Sequence, residues 1–111
     1  MAAVPTSTPA MNDFSLVDDP GARQYRLLLD GKVLGFVDYD QIADRALLIK
    51  HTEIAPEFEG KGYGSELVRR VLEHARQQDK SVIPICPYAM NFIRRHREYI
   101  DVVRPDMRAA I

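Results

Sequence analysis

The feature that most constrains the fold of this chain is a change of periodicity at a glycine-rich segment, residues 59–65 (EGKGYGS). Before this segment the apolar residues alternate or form short runs, as they do in β-strands. After it, apolar residues recur at helical spacing over 64–78, and a short apolar run follows at 81–86. A helix between two strands predicts a right-handed crossover that joins a parallel strand pair.

The three strands before the glycine-rich segment are predicted at residues 24–29, 33–39 and 46–54, and a second helix at 90–99. An Asp-Gly-Lys turn separates the first two strands and predicts a hairpin. The predicted order is therefore β-β-β-α-β-α. This is an α+β fold in which an antiparallel meander is joined to one parallel pair.

The length of 111 residues predicts a single domain. Three prolines fall within residues 1–20, where neither the strand nor the helix period appears, so we predict a mobile leader there, with packing of its residues 12–16 on the domain as the alternative. The folded domain is predicted at 21–103. Residues 104–111 are predicted to form a loose C-terminal tail.

The composition limits the classes of function. Lys plus Arg number 15 and Asp plus Glu 16, a balance that argues against nucleic-acid binding. The single cysteine, Cys86, allows neither an internal disulfide nor a multi-cysteine zinc site, and we expect no metal. The apolar runs are shorter than the roughly 20 residues of a membrane span, and residues 1–10 lack the features of a secretory signal. We therefore expect a cytoplasmic protein without a membrane partner.

The strand predicted at 46–54 is apolar where it begins and polar where it ends, which is typical of a strand that leaves the core for a site. Simple alternation assigns its residues to two faces. These are Leu47, Ile49, His51 and Glu53 on one face, and Leu48, Lys50, Thr52 and Ile54 on the other.

The glycine-rich loop predicts a phosphate or pyrophosphate ligand. Its alternating glycines, Gly60, Gly62 and Gly64, let backbone N–H groups approach a ligand, and the helix that follows points its positive end there. Lys61 adds a full charge, but Gly62 follows it where a Walker A loop needs Ser or Thr. Ser65 and Leu67 stand where a dinucleotide fingerprint needs glycine. Taken alone, the loop also fits a tight turn without a ligand.

The run 54–64 resembles motif A of the GNAT superfamily of N-acetyltransferases, hydrophobic-x-Pro-x-x-[Gln/Arg]-x-x-Gly-x-Gly/Ala. The matching residues are Ile54, Pro56, Gly62 and Gly64, whereas Glu59 departs at the Gln/Arg position. The chain also resembles the small YjdJ-like branch of the superfamily. That resemblance is carried by residues 51–53, 59–65 and 94–99, and by Pro84, Cys86 and Pro87.

This resemblance implies a compact GNAT fold in which the strands at 46–54 and 81–86 splay apart to form a slot for acetyl-CoA. It implies that backbone N–H groups of the loop bind the pyrophosphate and that the pantetheine arm lies along the end of the third strand. The implied cofactor-binding residues are Ile54, Glu59, Gly60, Lys61, Gly62, Tyr63, Gly64 and Ser65.

Acetyl transfer to an amine needs a base, because an alkyl amine is almost wholly protonated at neutral pH. His51 and Glu53 are the candidate bases, and Cys86 is a candidate nucleophile that accepts the acetyl group before passing it on. Each also has a structural interpretation: polar groups satisfied where strands diverge, and a small buried hydrophobe.

The sequence thus predicts an acetyl-CoA-binding N-acetyltransferase whose acceptor is an unidentified amine on a protein or a small molecule. The alternative is a non-catalytic module that binds CoA or acetyl-CoA and acts as a sensor or interaction partner. Only a turn links the first two predicted strands. The acceptor site is therefore expected to be shallow, supplied by a partner, or missing.

Overall fold

The computed structural model describes residues 13–111. Its strands are β1 (Phe14–Asp19), β2 (Gln24–Leu29), β3 (Lys32–Ala43), β4 (Ala46–Ile54) and β5 (Ser81–Pro84). Its helices are α1 (Tyr63–Gln77) and α2 (Pro87–Arg95), and short 3₁₀ turns cover Pro56–Phe58, Arg97–Val102 and Pro105–Ala110. Within the described residues no helix is both long and apolar enough to cross a membrane.

The strands form one sheet in the order β1-β2-β3-β4-β5. The first four strands are antiparallel, and β5 lies parallel to β4 after the crossover through α1. The predicted meander and parallel pair are therefore confirmed.

Both helices pack on the same face of the sheet, because their apolar residues belong to one core with the inward residues of the strands. On α1 the buried side chains recur at helical spacing, which is why this segment is a helix with one apolar face. They are Leu67, Val68, Val71, Leu72 and Ala75. The molecule thus has two layers, and the second face of the sheet is not covered by α1 or α2.

Strand β1 corrects the predicted leader. All six of its residues pair with β2, and Phe14 and Leu16 pack against the core. Because β1 is an edge strand, its other side chains are mostly solvent-exposed and polar, so its sequence shows no clear apolar run. Residues 1–12 of the predicted leader lie outside the described residues.

The end of the chain is also more ordered than the predicted loose tail. The Arg104 N–H donates to the carbonyl of Val82 in β5 at 2.9 Å, and Arg108 Nε donates to the carbonyl of Val103 at 2.9 Å. Half-buried Met107 packs on the core from the 3₁₀ turn that follows Arg104. The bond between Arg104 and Val82 joins groups that are distant in sequence, which local composition does not reveal.

A β-bulge at Lys50 decides which way the second half of β4 faces. Asp38 pairs with His51, and the next residue, Tyr39, pairs with Ile49, so Lys50 has no partner across the ladder. One extra residue in a strand exchanges its two faces, because side chains alternate with a period of two.

Beyond the bulge, Thr52 pairs with buried Val37 and therefore faces the helices, as does Ile54. His51 and Glu53 face the other side of the sheet, where Asp38 lies across the ladder from His51 and Phe36 from Glu53. The prediction that His51 and Glu53 share a face with Leu47 and Ile49 is therefore wrong.

Candidate active site

Strands β4 and β5 diverge after a short paired stretch. Their pairing ends at Ile49 and Pro84, whereas β4 continues to Ile54. The N–H groups of Ile85 and Cys86 both donate to the carbonyl of Ile49, at 3.1 and 3.2 Å, and this turns β5 away from β4. From Lys50 to Ile54, β4 therefore has no strand beside it on the β5 side within the described residues.

The loop before α1 needs glycine at two positions. Gly60 and Gly62 have φ of 81° and 82°, a left-handed conformation that strains other residues. Gly62 is also the N-cap of α1 and provides no side-chain cap. The backbone N–H groups of Tyr63, Gly64 and Ser65 consequently have no acceptor among the described residues.

A cleft of about 370 Å³ connects this helix end to the free edge of β4. Its lining residues are Thr52, Glu53, Ile54, Phe58, Glu59, Gly60, Gly62, Tyr63, Gly64 and Tyr88. Lys61 and Ser65 do not line it, and both are exposed beside it. The sequence predicted a binding role for neither Thr52 nor Phe58, because neither belongs to the glycine loop and single polar or aromatic residues are weak signals.

Gly64 has a different role from the other two glycines of the loop. A Cβ atom at this position would lie 2.4 Å from the hydroxyl oxygen of Tyr88. Tyr88, in the first turn of α2, therefore packs directly on the start of α1 and forms the far wall of the cleft. At Gly64 the missing side chain leaves space for Tyr88, whereas Gly60 and Gly62 are needed for their positive φ angles.

An aromatic row supports the loop from the β1 side. The ring centroid of Tyr63 lies 6.4 Å from that of Phe58 and 5.8 Å from that of Phe14. The guanidinium of Arg70 stacks over the Phe14 ring at 5.4 Å and donates to the Phe14 carbonyl at 3.4 Å. The unpredicted strand β1 thus contacts a wall of the cleft.

Cys86 lies behind the cleft rather than in it. The residue is 4% exposed and precedes the first turn of α2, and its Sγ lies 3.5 Å from Thr52 Oγ1. Because of the bulge at Lys50, Thr52 rather than His51 faces the thiol.

His51 and Glu53 form a pair on the opposite face of β4. His51 Nε2 lies 3.1 Å from Glu53 Oε1, and the two side chains are 55% and 56% exposed. The three candidate catalytic residues therefore do not converge at one point. The carboxylate–imidazole pair lies on one side of the diverging strands and the thiol on the other.

Similarity to known proteins identifies the family of this chain. The family described as GCN5-related N-acetyl-transferase matches residues 24–102. The chain belongs to this family. No curated protein matches it significantly. The family membership and the compact α+β fold inferred from motif A are confirmed, whereas the YjdJ-like branch remains a prediction.

Two solved structures share the fold. A GCN5-like protein from Staphylococcus aureus has a TM-score of 0.62 and 23% identity, over 85% of this chain and 91% of that chain. Ard1 from Thermoplasma volcanium has a TM-score of 0.51 and 23% identity, over 74% of this chain and 56% of that chain. At this identity the likeness concerns the fold of the GNAT domain.

Proposed function

We propose that this GNAT domain binds acetyl-CoA in the cleft and transfers its acetyl group to an amine. The observation that carries the proposal is that the uncapped start of α1 and the free edge of β4 open into the same cleft. A helix N-terminus suits a pyrophosphate, and a free strand edge suits an extended chain that contains amides. CoA has a pyrophosphate followed by an amide-containing pantetheine arm.

The residues present fit this ligand. The N–H groups of the loop at 59–65 would hold the pyrophosphate, with the exposed ammonium of Lys61 beside it. Glu59 departs from the family motif, but it is exposed, so water solvates its charge. Ile54 and the backbone at Glu53 would contact the pantetheine arm along the edge of β4.

For the chemical step we propose direct attack by the amine. His51 takes a proton from the ammonium, the amine nitrogen bonds to the carbonyl carbon, and the C–S bond breaks. The second amine proton leaves with the thiolate, giving the amide and CoA. Glu53 orients His51 through their hydrogen bond. The second route, in which Cys86 first accepts the acetyl group, requires the thiol to become accessible from its buried position.

The binding step is tested by calorimetry with acetyl-CoA and CoA on Gly62→Val. We expect the dissociation constant to rise at least about tenfold, because a β-branched side chain disfavours the left-handed torsion on which the loop depends. Gly31→Val is the matched control, since Gly31 has φ of 83° and an added Cβ meets no atom within 4 Å at either position. Equal binding by both variants would contradict the loop assignment.

The transfer step is tested by following CoA release and the intact mass of the protein with a panel of amines. Direct attack predicts that His51→Ala slows transfer by roughly 10²–10⁴ and that Cys86→Ala does not. An acetyl group on Cys86 that hydroxylamine removes, together with lost transfer in Cys86→Ala, would instead establish the two-step route. Tight binding without transfer to any amine would leave a CoA-binding sensor or interaction module.

A further inference from the structure

Strand β1 lies outside the part of the chain that matches the family, yet it reaches the cleft. The family match begins at residue 24, whereas β1 covers Phe14–Asp19. Its first residue, Phe14, does not line the cleft, but its ring contacts the ring of Tyr63, which does. Any contribution of Phe14 to ligand binding must therefore act through a neighbour such as Tyr63.

The turn between Phe58 and Tyr63 has little packing of its own. Residues 59–62 are all exposed, and a Cβ atom added at Gly60 or Gly62 would meet no atom within 4 Å. The side chains that flank this turn, Phe58 and Tyr63, are both half-buried against the core. The orientation of the backbone N–H groups in the turn therefore depends on how these two rings are held.

Tyr63 is held by two rings from different parts of the chain. Phe58 and Phe14 both meet it in T-shaped pairs, with interplanar angles of 65° and 71°, a geometry that adds to the stabilisation from buried area. Phe58 is close in sequence, so its contact closes only the turn itself. Phe14 belongs to the sheet, so its contact fixes the first residue of α1 relative to β1.

Arg70 in turn holds Phe14. Its guanidinium lies over the Phe14 ring, 5.4 Å from the centroid, and donates to the Phe14 carbonyl at 3.4 Å. Glu66, one turn earlier on α1, accepts a hydrogen bond from Nε of Arg70 and thereby orients the guanidinium. Phe14 thus contacts α1 at its first residue and again two turns along the helix.

We propose that Phe14 is a positioning residue for CoA, which acts through Tyr63 to hold the loop at 59–65 in the conformation that binds the pyrophosphate. Arg70 keeps Phe14 in place. This role rests on the proposed function and adds to the same site a residue that precedes the family match. A loop that already has its binding conformation loses less conformational freedom when the ligand binds. Strand β1 therefore raises the affinity for CoA without touching it.

The first experiment measures CoA binding by calorimetry, together with the unfolding temperature, for matched changes in β1 of the full chain. Phe14→Leu removes the ring but keeps an apolar side chain, and it should raise the dissociation constant about three- to tenfold. Leu16→Ala is the control, because Leu16 is also half-buried against the core but has no ring to contact Tyr63. It should lower the unfolding temperature and leave the dissociation constant unchanged. Phe14→Tyr, which keeps the ring, should bind CoA like the native protein.

A second comparison separates positioning from charge. Arg69 and Arg70 both pair with Glu66, but within residues 13–111 only Arg70 makes a hydrogen bond or a cation–π contact with Phe14. Arg70→Gln and Arg69→Gln each remove one positive charge from the same part of α1. We expect Arg70→Gln to weaken CoA binding more than Arg69→Gln, and the difference to disappear in the Phe14→Leu background.

Equal binding of CoA by Phe14→Leu and the native protein would overturn this role of Phe14. Equal losses for Phe14→Leu and Leu16→Ala would also overturn it, since the loss would then follow stability alone. Equal losses for Arg70→Gln and Arg69→Gln would assign the effect to charge. Weak binding by Phe14→Tyr would show that the ring is not what matters.

Backbone order parameters of residues 60–64, measured by NMR in the ligand-free protein, give a readout that does not depend on CoA. Phe14→Leu should lower them and Leu16→Ala should not. If the native protein bound no CoA, the proposed function would be rejected, whereas the order parameters would still decide whether Phe14 holds the loop. Unchanged order parameters in Phe14→Leu would overturn its positioning role.

Discussion

The two halves of β4 differ in their environment although they are parts of one continuous strand. Residues 46–49 pair with β3 on one side and β5 on the other, and Leu47 and Ile49 are buried between them and the helices. Residues 51–54 pair with β3 alone, and the side chains of residues 50–54 are half-buried or exposed. The first half stabilises the fold, whereas the second half presents a backbone edge and polar groups on two faces.

The second half of β4 provides a cleft wall and an exposed polar face without an additional layer of structure. The bulge at Lys50 and the early end of β5 occur at the same level of the sheet. Thr52 is thereby turned toward the helix side, and His51 and Glu53 toward the open side. One irregularity thereby divides the polar side chains of this segment between the helix side and the open side of the sheet.

The largest expected effect is in the doubly paired half. Leu47→Ala should lower the free energy of unfolding by about 2–5 kcal/mol, because Leu47 is fully buried and its truncation leaves a cavity. Thr52→Ala in the other half should cost about 1 kcal/mol. Urea denaturation measures both, with Leu47→Met as the volume-conserving control. If Leu47→Ala and Thr52→Ala lowered the free energy of unfolding by similar amounts, the two halves of β4 would not differ in their contribution to stability.

A smaller effect is expected from deleting Lys50. If Lys50 is the extra residue of a bulge, its removal joins Ile49 to His51 in regular alternation and leaves Thr52 and Ile54 facing the helices. The expected loss of stability is small, because the contact removed is the solvent-exposed ion pair between Lys50 and Asp40. Thermal unfolding and amide NMR spectra measure the result. In a strand without a bulge the same deletion would exchange the faces of every residue after it, and cooperative unfolding would be lost.

The smallest effect concerns the charges that border the open face. Hydrogen bonds from Lys50 and Arg23 lower the pKa of Asp40 below its ordinary value of 3.8. This contribution to stability is present above the ordinary pKa and is lost as the pH falls through the lowered pKa. Lys50→Ala should move the pKa of Asp40 back toward 3.8 without changing the fold. NMR titration of the Asp40 carboxyl would show it, and an unchanged pKa would place the main effect on Arg23.

Local sequence patterns were sufficient to predict helix α1 and the glycine-rich turn before it. The apolar spacing of α1 and the positive torsions of Gly60 and Gly62 follow from residue type, because helix faces and left-handed turns depend on neighbours in sequence. Strand β1 was missed because its exposed edge residues break the apolar run, and its assignment depends on pairing with β2.

The amino-acid sequence by itself determined the order of strands and helices after residue 20, the parallel crossover and the glycine loop, since each is encoded by residues close together in the chain. Only the tertiary structure decided which side of β4 carries His51 and Glu53 and which side faces Cys86. The bulge at Lys50 is set by how β4 pairs with β3, and no local feature of the strand marks it. For the same reason the contact of Tyr88 with Gly64 appears only once α1 and α2 lie side by side.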